Sequence, residues 1–278
     1  MLTSHLRSRS RIMSLRFCAN LNFMFTESGD FLERYRLAKA AGFSAVEGAF
    51  PPDHVSVADL VKVREETGLE QILMNIALGD APEGQCGCAA IPGQEANFRK
   101  NLEKTVDCAK ALNCKKIHIM AGKVIGPTTA QHDATYLSNL KMAATILEKN
   151  NLLGVIEPIN QYSVPGYYLS CYEKAITTLN QINSPHLKLM LDIFHAQHIR
   201  GDLTNAIRSY APHIGHVQLA QVPNRNEPDT EGEINYPYVL HTLEANGYTD
   251  WVGCEYKPKA GSVQGLGWLR DFGYWSQK

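Results

Sequence analysis

Eight short β-rich runs recur along this chain at intervals of roughly thirty residues, and they narrow the fold more than any other feature. They read RFCANLNFMF, SAVEGAF, EQILMNIA, KKIHIMAG, LGVIEPIN, LKLMLDIFH, HVQLAQV and WVGCEY. Most are bounded by Gly, Asn, Asp or Pro, and most are too continuously apolar to be strands with one wet face. Such runs belong to strands covered on both sides, as in a parallel sheet. The segments between them carry helical spacing. Asp30 and Glu33 form a candidate capping box ahead of Leu32, Tyr35, Ala38 and Ala41, and Gly42 supplies a stop. A longer stripe of Phe98, Leu102, Val106 and Ala109 predicts a helix over Glu95 to Leu112. Similar patterns predict helices near 58–66, 134–149, 172–182, 203–210 and 236–246, with a poorer one over 263–275. Eight strand–helix alternations predict an α/β protein, a single (β/α)8 TIM barrel. A doubly wound open sheet is the rival, but its Gly-rich G-x-G-x-x-G turn does not occur in the sequence.

The chain has 278 residues, of which 44% are hydrophobic and 20% charged, enough apolar content for a sizeable buried core. A formal net charge of −1 gives no reason to expect nucleic acid or an anionic membrane as partner. No apolar run approaches the ~18 residues of a membrane helix. The seven cysteines are odd in number and scattered, which argues against a disulfide framework and for a reducing, cytoplasmic setting. Cys86 and Cys88 form a lone Cys-x-Cys with no second pair to complete a zinc site. Residues 1–14 form a basic leader rich in Arg and Ser and free of acids, expected to be disordered and left out of the fold. As a presequence it would make the address mitochondrial; an alternative start or a leftover segment fits it as well. Residues 15–278 are read as one barrel domain. The long loop from Gly79 to Gly93 follows the third strand, on the face where barrel enzymes build their sites, and is a candidate lid.

A charged group inside a buried strand is costly unless it is paired or binds a metal. Acids or an amide interrupt four successive runs here: Glu157 in VIEPIN, Asp192 in LMLDIFH, Gln218 in HVQLAQ and Glu255 in VGCEYKP. Each lies toward the C-terminal end of its strand, so a barrel would bring the four side chains to one mouth. Three carboxylates there repel one another unless a cation sits among them. All four donors are oxygens, which favours Mg2+ or Mn2+ over zinc. A single acid at a strand end is ordinary; four on consecutive strands point to a site.

These residues lie in motifs that resemble the hydroxypyruvate isomerase family, within the xylose isomerase-like barrels. The resemblance runs from Leu15 to about Trp275 and is carried by FCANLNFMF, AVEGAFP, the loop ending in IPG, IEPIN, DIFHAQ, GHVQ, VPNRNEPDTEGEINY and GCEYKP. It implies conversion of hydroxypyruvate to 2-hydroxy-3-oxopropanoate. It makes Glu157 and Glu255 the proton donor–acceptor pair, and Glu157, Asp192, Gln218 and Glu255 the metal ligands. For the substrate's carboxylate, Arg225 in the PNR segment is the first choice and Lys123 in MAGK the second. His195 is placed to contact a substrate oxygen, although a lone His after a strand is often a structural donor. Asn75 and Glu47 are weaker pocket-lining candidates, and His198 and Lys257 are read as bystanders. The chain departs from bacterial members of that family at Met74, where they tend to have His, and at Gln221, where they tend to have Asp. Both changes bear on the substrate pocket.

Three other readings stay open at this stage. A ketose 3-epimerase or other sugar isomerase would use the same glutamates and metal, but usually with a His where Gln218 stands. A DNA-repair endonuclease on a related barrel would need many His ligands and a basic groove. A non-catalytic metal-binding barrel would have no need of the glutamate pair. A small three-carbon acid is the expected partner, and a homo-oligomer is compatible with the sequence.

Overall fold

A computed structural model of the protein describes residues 15–79 and 85–276. The basic leader and residues 80–84 of the long third loop lie outside the described residues. Eight parallel strands close into a barrel in sequence order. They are β1 (Arg16–Asn20), β2 (Ala45–Gly48), β3 (Glu70–Asn75), β4 (Lys116–His118), β5 (Leu153–Ile156), β6 (Leu187–Asp192), β7 (Ile214–Leu219) and β8 (Trp251–Cys254). The helices are α1 (Phe31–Ala40), α2 (Val57–Thr67), α3 (Glu95–Ala111), α4 (Ala130–Lys149), α5 (Tyr172–Ile182), α6 (Ile193–Ile199), α7 (Leu203–Tyr210), α8 (Tyr236–Ala245) and α9 (Gly267–Asp271). The expected TIM barrel is therefore the fold.

Strand residues alternate between two environments. Phe17, Val46, Met74, Ile117, Ile156, Leu191, Val217 and Val252 face outward into the main apolar core between sheet and helices. The alternate set faces the barrel axis, and much of it is polar. Lys116 on β4 and His216 on β7 lie 3.3 Å apart, and His216 reaches Glu47 on β2, contacts that only the barrel interior allows between non-adjacent strands. Continuous apolarity in the sequence thus described the outward face better than the inward one.

Several ends differ from the sequence reading for local reasons. Asp30 caps α1 by accepting from Leu32 N at 2.8 Å, but Glu33 pairs with Arg36 instead of closing a capping box. The run LKLMLDIFH is not all strand. It stops at Asp192, whose Oδ1 accepts from Phe194 N at 2.9 Å and so caps the short helix α6. Helix α4 begins at Ala130, earlier than its apolar stripe suggests, because Thr129 and His132 cap it reciprocally. The last stretch is helical only over 264–271, as a 3-10 turn and then α9. Residues 85–93 of the third loop are built into the barrel rather than hung over it as a lid. Gly87 bridges to Ala121, Ala90 N donates to Ala121 O at 2.8 Å, and Cys88, Ala89 and Ala90 are buried. Gly87 is required there, because a β-carbon would collide with the Met120 carbonyl.

Candidate active site

The barrel brings the four singled-out side chains to one end. Glu157 directly follows β5, Asp192 is the last residue of β6, Gln218 lies on β7 in register with Asp192, and Glu255 directly follows β8. Asp192 spends Oδ1 on the α6 cap and leaves Oδ2 facing the site. That oxygen is 3.5 Å from His195 Nε2 and 3.4 Å from the Arg225 guanidinium. Glu157 Oε1 is 3.8 Å from the same His195 nitrogen, and Oε2 is 3.5 Å from His118 Nε2. Glu255 pairs through Oε2 with Arg225 and through Oε1 with Asn20 Nδ2 at 3.3 Å.

Arg225 is held on both sides and from its backbone. Its guanidinium lies between the rings of Phe23 and Phe194, 4.7 Å from each centroid. The residue takes a left-handed conformation (φ +57°), fixed by Arg225 N to Gln221 O at 2.8 Å and Lys257 N to Arg225 O at 2.7 Å. Lys257 therefore contributes through its main chain. Gln221 is buried and faces away from the acids. Its amide donates to the carbonyls of Pro228, Thr230 and Ile234 and accepts from Val222 N and Ile234 N. It staples the 222–234 loop that carries Arg225.

One cation among three carboxylates leaves the acids short of positive charge. Burial, and then the charges of Glu255 and Asp192, push Glu157 well above the ordinary carboxylate range. Burial also raises Asp192, against the pull of Arg225. Glu255, its side chain only 16% exposed, is pushed up to about 8, chiefly by burial and with Arg225 opposing. Both neighbouring imidazoles are neutral: burial drives His195 well below its ordinary value and His118 down to about 3. His195 Nδ1 accepts from Asn160 Nδ2 at 2.7 Å and from Asn160 N at 3.3 Å. Its proton therefore sits on Nε2, aimed at the carboxylates.

Whether these residues suit a divalent cation can be judged from their oxygens. Glu157 Oε1 and Gln218 Oε1 are buried with no hydrogen-bond partner, the expected state of atoms whose partner is not protein. One ligand-capable atom from each of Glu157, Asp192 and His195 lies within 4.8 Å of the others. Two carboxylates at that point, with Gln218 and Glu255 on the next two strands in order, make an oxygen-rich donor set that fits a divalent cation such as Mg2+ or Mn2+. A second cluster, Cys18, Glu47 and His216, satisfies its own hydrogen bonds and is sealed.

The other sequence candidates scatter. Asn75 lies beside His118, its Oδ1 3.2 Å from Nδ1. Lys123 lines a separate cavity of about 500 Å3 between the loops after β3 and β4, together with Lys100, Lys104 and Gln85 but none of the acids. Glu47 is fully buried, below the acids instead of lining a pocket. Sequence reasoning missed Asn20, His118, Phe23, Phe194 and Asn160. For His118 a signal was present: Lys116 and His118 share one face of a strand, as do His216 and Gln218, and period-two counting from Gln218 would have exposed an inward polar face.

Fold and site together define a barrel enzyme with an acid-walled mouth suited to a divalent cation. The family model of the xylose isomerase-like TIM barrel matches residues 35–272, and the chain belongs to that family. The chain is 41% identical over 259 residues to hydroxypyruvate isomerase of Escherichia coli, covering 93% of this chain and 99% of that one. It is 40% identical over 258 residues to 2-oxo-tetronate isomerase of Cupriavidus necator, covering 92% and 98%. A crystal structure from Brucella melitensis titled AP endonuclease, family 2, superposes with a TM-score of 0.88 at 39% identity, over 92% of this chain and 98% of that one. With relatives of this kind over nearly its whole length, the protein is an isomerase.

Proposed function

We propose that the protein interconverts hydroxypyruvate and 2-hydroxy-3-oxopropanoate by proton transfer between Glu157 and Glu255, with a divalent cation held by Glu157, Asp192, Gln218 and Glu255. The observation that supports this reading is the pair of buried oxygens without a protein partner, Glu157 Oε1 and Gln218 Oε1, at a mouth where Asp192 clusters with Glu157. A bound Mg2+ or Mn2+ would polarise the substrate carbonyl and offset the negative charge that develops on its oxygen.

The chain's own residues supply the rest. Arg225, fixed between two phenyl rings, presents a planar donor to the substrate carboxylate. One glutamate takes a proton from C3, electrons move into the C2–C3 bond, and the C2 oxygen becomes an enediolate oxygen. The C3 hydroxyl proton passes to the C2 oxygen, the other glutamate delivers its proton to C2, and C3 is left as the aldehyde beside a C2 hydroxyl; proton exchange with water then resets the two carboxyls. Burial raises both carboxyls in the metal-free protein, and a bound cation would favour their ionised form, the state that accepts a proton. His195, neutral with its proton on Nε2, can donate to the developing oxyanion.

The relative named 2-oxo-tetronate isomerase makes a four-carbon acid the main competitor as substrate. Against the endonuclease reading stands the ligand chemistry: the clustered donors are carboxylates and one imidazole, not the His-rich set of a zinc cluster. A substrate panel of hydroxypyruvate, 2-oxo-tetronate and ketohexoses, assayed after chelation and add-back, tests the proposal. Turnover of hydroxypyruvate that chelation abolishes and Mg2+ or Mn2+ restores is expected. A higher kcat/KM on 2-oxo-tetronate would reassign the substrate, and full activity after exhaustive demetallation would remove the metal from the reaction.

A further inference from the structure

Beneath the acids lies a second polar layer that the proton transfer does not use, and Glu47 on β2 is its hub. The Glu47 carboxylate is fully buried and faces four donors. They are Asn20 Nδ2 at 2.9 Å, Gln218 Nε2 at 2.7 Å, His216 Nε2 at 2.6 Å and Cys18 Sγ at 3.4 Å. A carboxylate accepting from so many donors has no hydrogen to offer in return. Gln218 must therefore turn its NH2 toward Glu47 and its carbonyl oxygen the other way. That oxygen is one of the buried atoms with no protein partner. Asn20 is placed by the same anion, with Nδ2 bridging Glu47 Oε1 and Glu255 Oε1.

Neighbouring strands make room for Glu47 and anchor it. Gly253 on β8 is required, because a β-carbon there would collide with Glu47 Oε1. On the far side His216 Nδ1 lies 3.3 Å from Lys116 Nζ, which is 2.7 Å from Asp250 Oδ2. The chain of contacts thus runs from the site floor through the barrel to a residue just before β8.

We propose that Glu47 is a positioning residue, the buried anion that fixes the Gln218 amide with its oxygen toward Glu157, Asp192 and Glu255 and so makes Gln218 a metal ligand. This inference rests on the divalent-ion reading above and deepens it. Mn2+ affinity, measured by chelator competition on the full-length protein, tests it without recourse to turnover. Wild type should bind, and Glu47→Gln, which frees Gln218 to rotate, should bind ~10–100-fold more weakly, the usual effect of losing a partner behind a metal ligand. The double variant E47Q with Q218E keeps one carboxylate and one amide in the couple and has an oxygen at both ends of position 218. It should recover affinity to within ~10-fold of wild type. A purely structural role for Glu47 would lower Tm and leave the metal affinity of the folded protein unchanged. Equal affinity in wild type and Glu47→Gln overturns the inference while leaving the proposed function standing. Failure of wild type to bind Mn2+ overturns both. Should Glu47→Gln fail to fold, the double variant decides alone: recovered affinity supports the role, and a loss beyond ~100-fold overturns it.

Discussion

Arg225 is the only cation that touches the acids among the described residues, and its removal is informative for that reason. Arg225→Ala should raise KM for hydroxypyruvate while leaving Mn2+ content intact, since losing a charge-assisted contact to a buried partner costs about 2–5 kcal/mol. A KM that hardly moves would place the carboxylate anchor elsewhere. The same acids and imidazoles give the metal-free protein a pH dependence with two opposite parts. His118 and His195 are held neutral below their ordinary value, so the unfolded chain binds more protons than the folded one as pH falls from about 6.5 toward 3. Their contribution to stability is complete above pH ~6.5 and is lost in acid. Glu255 is raised to about 8 and Glu157 is raised well above its ordinary range, so above their unfolded values the folded state holds the extra protons and stability falls as pH rises toward 8. From pH ~6.5 to 8 only the carboxyls act, at up to ~1.4 kcal/mol per pH unit for each that stays protonated. The chelated protein should therefore melt lower at pH 8 than at pH 6.5, and saturating Mn2+ should flatten that slope. A chelated protein equally stable at both values would mean the acids are not held protonated.

At the scale of elements, the segments between strand and helix do most of the positioning. Asp192 ends β6, caps α6 and turns its second oxygen to Arg225, so one residue sets the turn and one wall of the site together. In the loop from Val222 to Ile234 one buried amide, Gln221, ties three separate points of the backbone together. Gln221→Leu keeps the bulk and the main-chain bonds to Arg225 and Asn226 but removes every side-chain hydrogen bond that Gln221 makes to the loop backbone. It should lower kcat/KM at least as much as the loss of Arg225 does, with most of the barrel's melting cooperativity retained. Loop mobility is read by hydrogen exchange at residues 226–234, where unchanged protection would argue against the staple. The sequence announced the strands and most helices because apolar spacing reports the outward face, where Phe17, Val46 and Ile156 pack. It announced the four mouth residues because three acids and an amide in apolar runs are conspicuous. Glu47 stood out in the same way, but only three dimensions show that two of its partners, His216 and Gln218, lie across the barrel on β7. Arg225 was legible as a cation near the right strand. The ring sandwich that fixes it was not, because Phe23, Phe194 and Arg225 come from three separate segments.

For the whole molecule, closure of the barrel decides which residues can share a proton. Around the mouth the order is Glu157, Asp192, Gln218, Glu255, following β5 to β8. The two glutamates therefore stand at the ends of a four-strand arc, with an acid and an amide between them, and a substrate seated in the arc meets them from different sides. In the proposed proton transfer, a carboxyl that shuttles the proton can trade it with water between turnovers. A hydride shift, by contrast, would carry hydrogen from C3 to C2 without leaving carbon. Isomerisation in heavy water separates the two routes. Deuterium at C2 of the product at early turnover is the expected result, because the proton delivered comes from a side chain equilibrated with solvent. Glu157→Gln and Glu255→Gln should each lower kcat by about 10²–10⁴-fold, the usual contribution of a positioned acid or base. Each variant must first be shown to retain Mn2+, since the same carboxylates are proposed to hold the ion. A variant that keeps its metal and loses turnover assigns the loss to proton transfer. Complete retention of the original hydrogen, with no solvent label in early product, would reduce both glutamates to metal ligands and give the migrating hydrogen to a direct transfer between the two carbons.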